Sequence, residues 1–148
     1  MYKKILAAID GSELSDNALD KGLELAKNLN AQVTLLTVTE LWSAKTIASQ
    51  YDAGVAAPIE QYEQVEAKWA ESVLEKAAEK AKAQGVETNT VHISDQHPAE
   101  GIIEAASAND IDLIVMSSHG HRGLKKIMLG SVAQEVLAHS KIPVLVFK

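Results

Sequence analysis

The residues with most chemistry to offer lie in one stretch, Ser117 to Ser131, SSHGHRGLKKIMLGS. Its glycines, Gly120, Gly123 and Gly130, lack Cβ atoms and so let backbone N–H groups approach an anion. A helix opening at Gly130-Ser131 adds unpaired N–H groups and a favourable dipole, and Ser131 adds a hydroxyl donor. Charge agrees with this: no carboxylate occurs between Asp112 and Glu135, whereas Arg122, Lys125 and Lys126 fall inside the interval. The stretch therefore reads as a place to hold phosphates. A second polar candidate is Asp10, in Asp10-Gly11-Ser12, whose carboxylate can accept from ribose hydroxyls; the same residue also suits a turn or the start of a helix.

Other chemistries fit less well. Leu129, not lysine, precedes Gly130-Ser131, so the Walker spacing is absent. His119 and His121 have no third ligand in the loop and read as solvated or phosphate-adjacent side chains, not as a zinc pair. Without cysteine the chain has neither disulfides nor thiolate chemistry. No Ser–His–Asp set can be named from spacing. An adenylyl-transferring enzyme would carry a histidine-rich or glycine-rich signature after the first strand, where this chain has Asp10-Gly11-Ser12-Glu13. A phosphoacceptor receiver domain needs clustered acids there and an aspartate ending the third strand, and only Asp10 meets the first requirement. The expectation is a binding module with no catalytic residues, in which hydrolysis is slow or absent.

These residues need elements to position them. Lys4–Ile9 and Asp112–Ser117 are short apolar runs of the kind buried on both faces of a sheet. Gln32–Val38, Val86–Ile93 and Ile142–Phe147 add three more strands. Apolar positions at helical spacing fall between them: Leu14 to Leu29 with Ser12 as cap, Ile59 to about Gln84, Pro98 through Ala108, and Val132–His139. In the second of these helices Tyr62, Val65, Trp69, Val73, Ala77 and Ala81 mark one face. The segment from Thr39 to Pro58, with Trp42 and Tyr51, lacks periodicity and reads as a long loop, either a cover over a ligand or a surface anchor. Strict alternation of strand and helix specifies an α/β fold: a single open five-stranded parallel sheet, order 3-2-1-4-5, with helices on both faces. Ligands bind such sheets beyond the carboxyl ends of the strands where the order reverses. The reversal lies between strands one and four, which end at Asp10 and Ser117.

Composition sets the bounds. The 148 residues suit one domain, 1–148, and 47% hydrophobic but only 4% aromatic residues make a core of Ala, Leu, Ile and Val. A formal charge of −6 argues against a general nucleic-acid binder. The N-terminal apolar run is too short for a signal sequence or a membrane span, so the expected location is cytoplasmic.

The phosphate segment resembles the nucleotide motif of the universal stress protein family: glycine, two residues, glycine, nine residues, glycine, then serine or threonine. Gly120, the nine residues His121–Leu129, and Gly130-Ser131 match it, while Ser117 stands in place of the first glycine. The opening KKILAAIDGSE, the strand DLIVMSSHG and the ending LGSVAQEVLAHSKIPVLVFK are similar to that family as well, so the resemblance spans nearly the whole chain. It implies a Rossmann-like stress-response protein of the ATP-binding subgroup. It further implies ATP, or AMP or ADP, as ligand, with Mg2+ held by the phosphates. By the same resemblance Ala8, Asp10 and Val38 lie around base and ribose, Met116, Ser117 and Gly120 flank the nucleotide, and Gly130, Ser131, Val132 and Ala133 contact phosphates. The family commonly dimerises through its closing strand, and Val144–Phe147 would leave an apolar edge that invites a homodimer. The alternative is a nucleotide-independent dimeric interaction protein in which the glycine loop is only structural.

Overall fold

The first strand, β1 (Lys4–Ala8), is apolar at nearly every position because sheet neighbours flank it and helices cover both its faces. In the computed structural model, which describes residues 1–40, 59–120 and 128–148, it is the middle strand of a parallel sheet. The others are β2 (Gln32–Val38), β3 (Thr88–Ile93), β4 (Leu113–Ser117) and β5 (Val144–Phe147), in the order β3-β2-β1-β4-β5 expected from the sequence. Four helices occur among the described residues: α1 (Glu13–Leu29), α2 (Ile59–Ala83), α3 (Pro98–Ala108) and α4 (Ser131–His139). Trp42, Tyr51, His121, Arg122, Gly123, Lys125 and Lys126 lie outside the described residues, as does most of the expected long loop.

Side chains alternate across the sheet and sort the core in two. Ile5, Ala7, Val33, Leu35, Leu113 and Val115 face α1 and α2, meeting Leu19, Leu23, Leu74 and Ala77. Leu6, Leu36, Ile114 and Met116 face α3 and α4, meeting Ile102, Ala106, Ala133 and Val136. Full burial of each Leu or Ile is worth about 1.5–3 kcal/mol, so the sheet is held from both sides.

Hydrogen bonds set the strand ends. The Asp112 carboxylate accepts from the backbone N–H groups of Lys3 (2.8 Å) and Lys4 (3.1 Å), clamping the start of β1. Asp112 thus stands just before β4 instead of opening it, as the run of apolar residues implies. At the other end the ladder stops at Ala8, one residue short of Ile9, although Ile9 N–H still donates to Leu36 (2.9 Å) and Thr37 Oγ1 to the Ile9 carbonyl (3.0 Å).

The face expected on α2 needs correction at its start. Val65 is 64% exposed, and the buried positions are Ala70, Leu74, Ala77 and Ala81, with Trp69 and Val73 half-buried. Length is the reason: 25 residues of helix reach roughly 37 Å, whereas five-residue to seven-residue strands reach roughly 17–23 Å, so the first turns extend past the sheet. Lower down, Lys80 joins α2 to α1 through Asp16 (2.7 Å) and Asp20 (3.1 Å). Partial burial pulls the Lys80 amine down, but the hydrogen bonds and charges of the two aspartates outweigh it and raise its pKa above the usual value.

Candidate functional site

The turn leaving β1 is built from its own polar groups. Asp10 Oδ1 accepts from Ser12 N–H (2.9 Å), Ser15 Oγ accepts from Asp10 N–H (3.1 Å), and Ser12 Oγ caps α1 by accepting from Ser15 N–H (3.2 Å). Gly11 supplies the left-handed backbone this turn needs, at φ +77°, and its open side is covered by Val73 and Trp69 of α2. Asp10 therefore serves the turn with one carboxylate oxygen. Its other oxygen, Oδ2, is directed at Gly120, where a Cβ would stand only 2.5 Å away.

The turn leaving β4 is equally constrained. Ser118, 2% exposed, donates its N–H to the Phe147 carbonyl of β5 (2.7 Å), while its own carbonyl accepts from Gly130 N–H (2.7 Å). One residue thus joins β4, β5 and the start of α4 through its two flanking peptides. Ser117, at the place of the motif's first glycine, is buried and donates its hydroxyl to the His119 carbonyl (2.7 Å). Its side chain is spent on shaping the loop. Ser118 Oγ meets His119 Nδ1 at 2.9 Å, which fixes that ring as well.

Gly130 is the N-cap of α4 with ordinary extended backbone, φ −63° and ψ 159°. Proximity favours glycine there: a Cβ would lie 3.0 Å from the Ser118 carbonyl and 3.4 Å from His119 Cα, so that the loop would have to give by a few tenths of an ångström. The helix that follows receives no side-chain cap and has no acidic residue in its first turn. By contrast α1 has its Ser12 cap with Glu13 and Asp16, and α3 has Glu100. Ser131 is exposed, Val132 half-buried and Ala133 buried at this start.

The apolar residues named from the sequence converge on one side of the sheet. Met116 and Ala133 belong to the core between the sheet and α3 and α4, and Ala8, Val38 and Val132 pack half-buried against it. In the ladder Ala7 pairs with Val115 and Ala8 with Leu36, so Ala8 lies between the ends of β4 and β2. Ala8, Asp10, Val38, Met116, Ser117, Gly120, Gly130, Ser131, Val132 and Ala133 all fall at the carboxyl ends of β1, β2 and β4 or at the start of α4. Chemically, this combines half-buried apolar surface on Ala8 and Val38, a carboxylate, and a helix start open to an anion.

Sequence reasoning missed three participants. Ser118 ties β5 and α4 together through backbone atoms, which its residue type does not reveal, while its hydroxyl meets the neighbouring His119. Gly101, buried in α3, touches the Val38 side chain; a glycine inside a helix was the available clue. His92, beside the end of β2, meets Thr39 Oγ1 through Nε2 at 2.8 Å, and burial lowers its pKa below the usual 6.5 against the pull of Glu66. Among the described residues no group of three or more His, Asp or Glu is arranged to hold a metal ion. No helix among them is long and apolar enough to cross a membrane.

Comparison with known proteins follows the same lines. The model of the universal stress protein family matches residues 1–148. Universal stress protein YxiE of Bacillus subtilis is 36% identical over the full length of both chains. Protein MJ0577 of Methanocaldococcus jannaschii is 33% identical in sequence, and its solved structure superposes with a TM-score of 0.83 over 100% of this chain and 96% of that one. A universal stress protein from Archaeoglobus fulgidus, solved in complex with dAMP, shares the fold at 20% identity and a TM-score of 0.69, covering 99% of this chain and 98% of that one.

Proposed function

The chain belongs to the universal stress protein family, and from that premise we propose that it binds an adenine nucleotide, ATP foremost, beyond the carboxyl ends of β1 and β4. The observation that carries this reading is the convergence of Asp10, Gly120 and the side-chain-uncapped start of α4 beside the apolar surface of Ala8 and Val38. An apolar seat suits a flat base, Asp10 suits ribose hydroxyls, and the N–H groups of Ser131, Val132 and Ala133 suit phosphate oxygens. Met116, Ser117 and Gly120 then flank the ligand. A relative in complex with dAMP supports the class of ligand. AMP and ADP fit the same arrangement, and Mg2+ would enter on the phosphate oxygens, since the described residues gather no metal cluster of their own.

In this reading residues 1–148 act as one cytoplasmic domain in the stress response, and the bound nucleotide stabilises a conformation or partner surface. Hydrolysis is slow or absent. Two copies pair through Val144–Phe147, an edge strand whose Leu145 is 36% exposed.

One observation favours the nucleotide-independent reading. The Cβ atoms missing from Gly120 and Gly130 would crowd the chain's own Asp10 and Ser118, so packing favours glycine at both positions without any ligand. The two readings separate on a purified sample. Excess absorbance at 260 nm, with ATP or AMP released on denaturation, supports the nucleotide reading. Absence of bound nucleotide together with no heat of ATP binding by calorimetry would leave the structural reading standing.

A further inference from the structure

Buried positions of α3 are mostly alanine or isoleucine, Ala99, Ile102, Ala105 and Ala106, yet Gly101 among them is glycine. Glycine is the poorest helix former after proline, so its presence inside a helix calls for a packing cause. The cause is Val38. A Cβ on residue 101 would stand 2.9 Å from both Val38 methyl carbons, well inside the 3.5–4.0 Å at which carbon atoms rest.

One side of that contact must give. Moving α3 away would disturb Ile102, Ala105 and Ala106, all buried against the sheet. The Val38 backbone is held in register opposite Ile93 of β3. What remains is the half-buried Val38 side chain, a β-branched group with few rotamers, which would be driven away from α3.

We propose that Gly101 is a positioning residue that sets the depth of the apolar seat for the nucleobase, by letting Val38 lie down against α3. This rests on the nucleotide reading above. Because α3 packs on Val38 and α4 supplies the helix start assigned to the phosphates, Gly101 governs the base and leaves the phosphates alone.

A double-mutant cycle read by calorimetry tests it, with wild type, Gly101→Ala, Val38→Ala and the double variant each titrated with ATP, ADP and AMP. Gly101→Ala is expected to weaken all three nucleotides by the same factor, about tenfold, which corresponds to the lower end of overpacking costs. In the Val38→Ala background the same substitution should have no effect, since the methyl groups it strikes are gone. The role of Gly101 is overturned if wild type binds ATP and Gly101→Ala binds it equally. It is also overturned if the penalty grows with the number of phosphates, or if the penalty or a folding failure persists without the Val38 methyls. Absence of binding of all three nucleotides to the wild-type chain is a separate outcome, which removes the nucleotide reading and this inference with it.

Discussion

Asp10 Oδ2 stands 2.5 Å from the point where residue 120 would carry a Cβ, so the turns leaving β1 and β4 approach one another this closely with glycine at residue 120. Asp10 cannot simply swing aside, since its Oδ1 holds Ser12 N–H at 2.9 Å. Gly120→Ala should therefore destabilise the chain by about 1–3 kcal/mol, the usual cost of an added atom in a packed place. Removing the obstacle should recover part of that cost, so Asp10→Ala with Gly120→Ala should cost less than the sum of the two single variants in urea denaturation. Strict additivity would refute the contact. On the nucleotide reading, Asp10→Ala alone should weaken ATP by about tenfold, as loss of a charged hydrogen-bond acceptor does.

The start of α4 gives a second test. A side chain at residue 130 meets the Ser118 carbonyl at 3.0 Å, so Gly130→Val should push the helix start off the loop. Wild type should melt at higher temperature with ATP, and to lesser degrees with ADP and AMP. At a ligand concentration one hundred times Kd the gain is about 2.7 kcal/mol. The variant should show no gain with any of the three, and a shift equal to that of wild type would exclude this helix start from the binding site.

His92 predicts a dependence on acid. Its surroundings are the Thr39 hydroxyl, 2.8 Å from Nε2, and the carboxylate of Glu66 on α2, which favours the charged ring; burial is the larger effect and lowers the folded pKa. The unfolded chain therefore binds the proton more readily. The contribution of the neutral ring is complete above about pH 6.5 and declines as the pH falls below that value. Chemical denaturation between pH 7.5 and 5 should show this decline, and His92→Gln should flatten it. An unchanged slope in the variant would assign the decline to other groups.

Pairing through β5 is open to direct measurement. Leu145, 36% exposed at its centre, is the residue through which a charge most directly opposes association. Light scattering at micromolar concentration should give a dimer for wild type and a monomer for Leu145→Glu. A wild-type monomer would defeat the pairing.

Much of the architecture was legible because strands buried on both faces appear as unbroken apolar runs, and KILAAI and DLIVMS are of that kind. Turns were marked by Asp10-Gly11-Ser12 and Gly130-Ser131. The same residues named most of the candidate site, since a ligand at the sheet's reversal must lie at strand ends. What escaped detection depends on neighbours far away in sequence. Val65 continues a helical stripe but faces solvent, because α2 is longer than the strands it covers and the stripe does not say where they end. Gly101 owes its place in α3 to Val38, more than sixty residues earlier, and nothing local in the sequence announces that contact. Ser117 stands where the motif has its first glycine, and the partner of its hydroxyl, the His119 carbonyl, is a backbone group that residue types do not reveal.

The placement of β1 has a consequence for how the chain is made. Strand β1 precedes its neighbours in the chain, yet it needs β2 on one flank and β4 on the other, and its start is clamped by Asp112, more than a hundred residues later. Until that part has been synthesised, half of β1 is an open edge, apolar and ready to pair with another nascent chain. The central strand is thus synthesised well before the strand that seals its second flank, and partial chains ending before residue 113 are the ones expected to need a chaperone.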